Sequence, residues 1–303
     1  MKHAPVRHLV EYSAVLLAKG AVRALPHTTA RRVGRSIGAL AWRVLRRHRR
    51  IAEENLARAL PELGAAEHAR LARACFEHFG MGMTDAISAG RFDLEELCRR
   101  VDLVGWDHLQ EAEERSGETG VIVLSAHVGL WEIAAYPPGV YGGPLSVVGR
   151  PLDNPWLDRE LVRSRKRFGN QLIPKQGAVR QMLKAIKRGE RVGILIDQRA
   201  RRGEGIWVPF FGTPAYTTPI LARLTLRTGA AVVPIHGFPL PEGRYRVELA
   251  SAIWPSDVTE AGFEGEEAVA ELTRRYLAAA ETAIRQHPDQ WLWMHERWKQ
   301  VDG

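Results

Sequence analysis

Only two cysteines, Cys75 and Cys98, occur among 303 residues. They offer neither metal-ligand spacing nor a disulfide framework, so a reducing, cytoplasmic setting is the natural inference. Long apolar runs are missing too. After Lys2 the first apolar stretch is broken by Arg7, Glu11 and Lys19, well short of the ~20 residues a spanning helix needs. No small-residue cleavage site follows it cleanly, which argues against a signal peptide. No strand delivers a Gly-x-Ser-x-Gly elbow, a phosphate-binding loop or a dinucleotide glycine fingerprint. His-Glu-x-x-His is absent, and the scattered His236 and His295 make no metal site, so neither metal nor cofactor is expected.

Acidic residues are scarce in one place. Residues 1–50 hold 12 Lys and Arg against the single acid Glu11, a net +11, whereas the rest of the chain carries −3 of the total +8. A charge of +8 first suggests a nucleic-acid protein, but confinement to one end changes its meaning, and no nucleic acid is expected. Leu9, Val10, Leu16, Leu17, Val22 and Leu25 recur at helical spacing, followed by Val33, Ile37, Leu40, Ala41, Val44 and Leu45 among many arginines. That pattern predicts amphipathic helices lying on an anionic membrane surface, or else packed on the body with a solvated basic face. Residues 1–50 are expected to form this segment and residues 51–303 an α/β domain; 45% hydrophobic content is enough for a full core.

Residues 51–100 read as helical, broken at Pro61-Glu62-Leu63-Gly64 and near Gly90, with a short strand predicted at Val101–Val104. From Gly120 the chain alternates in the doubly wound manner, predicting a mostly parallel sheet flanked by helices. Expected strands are 120–124, 145–149, 172–174, 192–196, 230–235 and 245–249. The helices between and after them are expected at 156–168, 179–188, 219–228 and 266–286.

The first of these strands, Gly120-Val121-Ile122-Val123-Leu124, is apolar and β-branched, as a strand buried on both faces should be. It delivers His127 at its carboxyl end, where open α/β sheets place their ligands. An imidazole becomes a useful general base when a carboxylate fixes its tautomer, and Glu132 is the nearest candidate. Residues five apart do not share a helical face. The two can meet only if His127 lies in the turn before a helix, a tight entry that Gly129 permits. Alone, the spacing better suits a strand-capping histidine and a surface glutamate. Arg150 and Asp197 follow two other strands, so a base, a cation and a carboxylate are expected to converge on one crevice. A base with no activated side-chain nucleophile suggests direct transfer, in which a deprotonated substrate hydroxyl attacks an acyl group.

Several ordered motifs carry a resemblance: Glu53-Glu54-Asn55-Leu56, Ala126-His127 through Trp131-Glu132, Arg150-Pro151 with Asn154-Pro155, and Arg165-Lys166-Arg167-Phe168-Gly169. Asp197-Gln198, Val208-Pro209-Phe210-Phe211-Gly212 and His287 through Trp293 to Arg297-Trp298-Lys299 continue it. In these the chain resembles the lipid A late acyltransferases, within the glycerolipid acyltransferase superfamily. The resemblance implies a glycerolipid-acyltransferase-like fold with His127 as general base and Glu132 as its partner. It also implies transfer of a fatty acyl chain from acyl carrier protein to a lipid A precursor, at the cytoplasmic face of the inner membrane. By the same resemblance Arg165 and Asp197 would line the catalytic platform, with Arg150 and Gln198 as further substrate-binding positions; Arg165 near a helix end and Asp197 at a strand end are in addition expected to pair with each other. Leu130 departs from the family, whose members often carry Asn there, and this bears on the acceptor.

Two other readings stay open. One is an acyltransferase for another membrane lipid, a lysophospholipid or glycolipid, drawing on acyl-CoA or acyl carrier protein. The other is a non-catalytic basic membrane-binding protein. Arg199, Arg201 and Arg202 suit either docking of an acidic carrier protein or a solvated loop. Trp291, Trp293 and Trp298 are expected to pack under the sheet rather than form an interfacial belt.

Overall fold

The computed structural model describes residues 4–136, 143–149, 151–166, 169–174 and 176–300. Helices α1 (Ala4–Ala24), α2 (His27–Val44), α3 (Arg46–Ala59), α4 (Ala65–Ala89) and α5 (Leu94–Arg100) precede the sheet. The strands are β1 (Val101–Val104), β2 (Ile122–Ser125), β3 (Leu145–Gly149), β4 (Gln171–Pro174), β5 (Arg191–Leu195), β6 (Ile206–Phe210), β7 (Thr213–Thr217), β8 (Val232–Pro239) and β9 (Tyr245–Leu249). Among them run α6 (Trp106–Ser116), α7 (Trp131–Ala134), α8 (Pro155–Lys166), α9 (Ala178–Lys187) and α10 (Ile220–Thr228). Two more helices, α11 (Ser256–Thr259) and α12 (Gly265–Gln286), follow β9.

The described strands build a seven-stranded sheet in the order β1-β9-β8-β2-β5-β3-β4, with β6 and β7 as a separate hairpin. Within the large sheet only β8 and β9 run antiparallel. All four residues of β2 are buried. Successive strand side chains point to opposite faces, and here Ile122 and Leu124 enter a core containing Leu56, Phe76, Ile186 and Trp291. Val121 and Val123 enter a second core with Leu109, Leu145, Val233 and Tyr245. The β-branched run is thus covered on both sides, as its composition predicts.

Helix α2 crosses α4 at very close range. A Cβ at Gly34 or Gly38 would overlap backbone atoms of α4, and one at Gly80 would overlap α2 in return. Glycine is what lets the two backbones approach this far. Gly34-Arg35-Ser36-Ile37-Gly38 has the spacing of a serine-hydrolase elbow, yet it lies inside α2, and Ser36 Oγ donates to Arg32 O. The crossing is fixed by a buried ion pair, Arg31 Nε and Nη2 to Asp85 Oδ1 and Oδ2 at 2.9 and 3.0 Å, which Tyr245 of β9 joins through its hydroxyl. The outer side of this corner is apolar and exposed: Val6, Leu9, Val10 and Leu17 on α1, Ile37, Leu40 and Val44 on α2. Among the described residues no helix is long and apolar enough to cross a membrane.

The segment 207–212 forms one strand of the β6–β7 hairpin and its turn. Phe211 and Gly212, at φ 52° and 68°, make a two-residue turn with both residues left-handed. A phenylalanine adopts this conformation at a cost, offset here by burial of its ring among Trp291, Trp293 and Trp298. The three tryptophans lie in the core, as expected. Asn55 Nδ2 donates to Trp293 O and His295 O, both at 2.7 Å, tying α3 to the C-terminal segment.

Candidate active site

Parallel register assembles the centre. Ser125 ends β2 opposite Leu195, which ends β5. Two residues further along each chain stand His127 and Asp197, so the strand pairing itself brings them side by side. The Asp197 Oδ1 atom accepts from His127 Nδ1 at 2.8 Å, and Oδ2 accepts from the His127 backbone amide at 2.8 Å and from Trp291 Nε1 at 2.7 Å. His127 O accepts in turn from Leu292 N. Asp197 is 1% exposed. Burial alone drives such a carboxyl upward, but the charge and hydrogen bond of His127, with the Trp291 and amide donors, outweigh it and hold Asp197 below the usual carboxylate range. For His127, burial disfavours the imidazolium. The charge and hydrogen bond of Asp197, helped by the charge of Glu132, overcome this and raise its pKa.

An ionised carboxylate can only accept, so His127 carries its proton on Nδ1 and leaves a lone pair on Nε2. The side-chain amide of Gln198 stands 3.3 Å from that nitrogen. Arg199, the next residue, donates its backbone N–H to His295 Nε2 at 3.2 Å, which fixes the turn bearing Asp197 and Gln198.

The turn after His127 is pinned on three sides. Gly129 has φ 62°, and a Cβ there would overlap Gly237 O of β8. Its amide donates to Gln290 O, and the next amide, that of Leu130, donates to Gly237 O at 2.6 Å. His78 of α4, kept below the ordinary imidazole range by burial and therefore neutral, donates from Nε2 to Gly129 O at 2.9 Å.

Glu132 has a different partner from the one expected. Its Oε1 accepts from Arg165 Nη2 at 2.6 Å and its Oε2 from Nε at 3.3 Å. The expected pairs, His127 with Glu132 and Arg165 with Asp197, are therefore exchanged. The reason is geometric: adjacent strands lie about 4.8 Å apart, so the residue beyond β5 reaches His127 Nδ1 directly. Glu132 sits on α7 and meets the C-terminal end of α8. Gly149, ending β3, leaves room for the guanidinium, since a Cβ there would come within 3.2 Å of Arg165 Nη1. Gln198 stands beside His127, and Arg150 lies outside the described residues.

Beside this centre opens a largely apolar cavity of about 170 Å³, lined by His78, Phe79, Met83, Leu130, Trp131 and Glu132, among others. Trp131, one of the lining residues, packs its ring 5.1 Å from that of His127. Cys75 is no rival nucleophile: burial pushes its thiol up to about 12, and it donates to Trp291 O. His78 belongs to no motif in the sequence, and Trp291 reads there only as a core residue. A buried indole needs a partner for its N–H, and that requirement was the available signal for Trp291.

The arrangement supplies a general base backed by a buried carboxylate, a neighbouring cation held by a second carboxylate, and an apolar slot. Over residues 2–300 the sequence matches the family described as bacterial lipid A biosynthesis acyltransferase. It is similar to the lipid A biosynthesis lauroyltransferase of Escherichia coli, 26% identical over 277 residues covering 91% of this chain and 87% of that one. The lipid A biosynthesis myristoyltransferase of the same organism is 26% identical over 260 residues, 85% and 77% of the two chains. A phosphatidylinositol mannoside acyltransferase of Mycobacterium tuberculosis is 28% identical over 251 residues, 81% and 75%.

Proposed function

Since the chain belongs to the bacterial lipid A biosynthesis acyltransferase family, we propose that it moves a fatty acyl chain from the thioester of acyl carrier protein to a hydroxyl of a lipid A precursor, at the cytoplasmic face of the inner membrane. The observation that carries this reading is the His127–Asp197 pair, packed against the Trp131 ring that also lines an apolar slot. The acceptor hydroxyl displaces the Gln198 amide and gives its proton to Nε2, while its oxygen attacks the thioester carbonyl. Asp197 keeps the imidazole in the required tautomer and steadies the imidazolium. Collapse of the tetrahedral adduct breaks the C–S bond, and the leaving thiolate takes the proton back from His127. The C–O bond formed and the C–S bond broken balance, with no covalent enzyme intermediate.

Glu132 has a supporting place in this scheme. Its carboxylate holds Arg165 at the crevice, where a planar guanidinium suits a phosphate of the acceptor. Glu132 also adds charge that raises the His127 pKa. The apolar slot receives the acyl chain, each buried methylene contributing about 0.8 kcal/mol. Arg199, Arg201 and Arg202, on the turn after Gln198, suit the acidic carrier protein.

The likeness to the phosphatidylinositol mannoside acyltransferase favours a second acceptor, an inositol glycolipid. The test is to offer the purified protein a lipid A precursor and a phosphatidylinositol mannoside, each with acyl carrier protein or coenzyme A thioesters, and to weigh the products by mass spectrometry. Acylation of the lipid A precursor from the carrier protein is expected. Near-wild-type turnover by a folded His127→Ala enzyme would sink the mechanism, and no product with any acceptor would sink the reading.

A further inference from the structure

Arg165 rides on the least anchored helix of the site. None of the described residues of α8 is buried, and α8 lies beside β4, an edge strand. Helices in proteins are held mainly by an apolar face packed on the body, and α8 has little of that footing. What meets it is α1.

Three contacts, spaced over three turns of α1, join the two helices. Asn154, 5% exposed and just before α8, accepts from Trp156 N through Oδ1 and so caps the helix. Its Nδ2 donates to His8 O at 2.8 Å and to Glu11 Oε2 at 3.2 Å. Tyr12 and Trp156 pack with ring centroids 5.9 Å apart. Lys19 Nζ meets Glu160 Oε2 at 2.8 Å, with both side chains only a quarter exposed. The polar side of α1 therefore faces α8, while Val6, Val10 and Leu17 are exposed.

We propose that α1 is a brace as well as an anchor: Asn154 and Lys19 are positioning residues that hold α8, and through it Arg165, against Glu132. Seating the apolar side of α1 on an anionic lipid surface then orders the cation that receives the acceptor. This rests on the lipid acyltransferase reading above, which names Arg165 as an acceptor ligand.

The test uses the full chain, hydrogen exchange read by mass spectrometry, and vesicles of phosphatidylglycerol and phosphatidylcholine. Vesicles are expected to slow exchange in residues 155–166 together with α1. Lys19→Glu and Glu160→Lys should each speed exchange in α8 and lower kcat on the lipid A precursor by ~10-fold or more, since small misplacements of a positioning group cost that much. Thermal unfolding checks that each variant is folded, and the milder Lys19→Met serves if one is not. The double variant Lys19→Glu with Glu160→Lys should restore both readings, which a generic loss of basic charge would not allow. The proposal is overturned if α8 exchanges alike in wild type and Lys19→Glu, if vesicles leave α8 unchanged, or if the double reversal fails to rescue. Faster exchange with unaltered kcat would overturn it equally. Should the wild type acylate no acceptor, the functional reading falls, while the exchange data still decide whether α1 holds α8.

Discussion

At His127 the proton inventory is set by Asp197. The carboxylate raises the imidazole pKa against the pull of burial, so the base is neutral only above a pKa higher than the ordinary value of about 6.5. Turnover should accordingly rise with pH through that shifted value. Asp197→Asn removes the charge and leaves burial dominant. The acid limb of kcat/KM should then move to lower pH, while kcat falls by roughly 10²–10⁴, the usual worth of general-base assistance. A pH profile of the variant that keeps the wild-type acid limb would contradict the pairing. Double-mutant cycles give a second check. His127 with Asp197, and Glu132 with Arg165, should be strongly non-additive, whereas Arg165 with Asp197 should approach additivity, because coupling follows contact. The sequence shows that His127 and Asp197 each stand at a strand end, but not that they are partners. Their hydrogen bond depends on β2 and β5 being neighbours in register, and no local pattern connects residues 70 positions apart. Closeness in the chain and the family motif both point to Glu132, and neither reports which carboxylate the strand pairing delivers to His127 Nδ1.

Among the elements, the turn at Gly129 is the most constrained. Its left-handed φ and the nearby Gly237 carbonyl both oppose a side chain, so Gly129→Ala should cost on the order of 1–3 kcal/mol of strain. It should also lower kcat more than it raises KM, since the backbone carrying His127 must shift. Denaturant unfolding and steady-state kinetics on the same preparation separate the two effects. The strands and long helices were legible because their apolar periods are regular: β2, β3, α4 and α12 all fall where the pattern predicts. The β6–β7 hairpin was not. Its turn places a phenylalanine where glycine or asparagine is usual, and the compensation comes from three tryptophans about 80 residues away. The close crossing of α2 and α4 was equally hidden, because two glycines four apart in a basic helix do not show which helix they meet.

For the whole molecule the decisive feature is charge confined to residues 1–50. Near an anionic surface each cation contributes about 1 kcal/mol, screened within a Debye length of roughly 8 Å at physiological salt. Deleting residues 1–25 should release the protein from anionic vesicles, and binding by the full chain should weaken as salt rises. Unchanged cosedimentation of the truncated chain would place the anchor on α2 and Met83, which is 69% exposed. The C-terminal tryptophans are not candidates, because they are buried under the sheet.

The glycine crossing has one more consequence. Helix α4 is locked to α2 along Gly34 and Gly38, and through His78 it grips the carbonyl of Gly129, two residues beyond the base. If the outer face of α2 rests among lipid headgroups, the imidazole sits at a fixed altitude above the acyl chains. An enzyme held at one depth acylates whichever hydroxyl a lipid presents at that depth. Regiochemistry would then be chosen by how far the protein sinks into the leaflet as well as by the shape of its crevice.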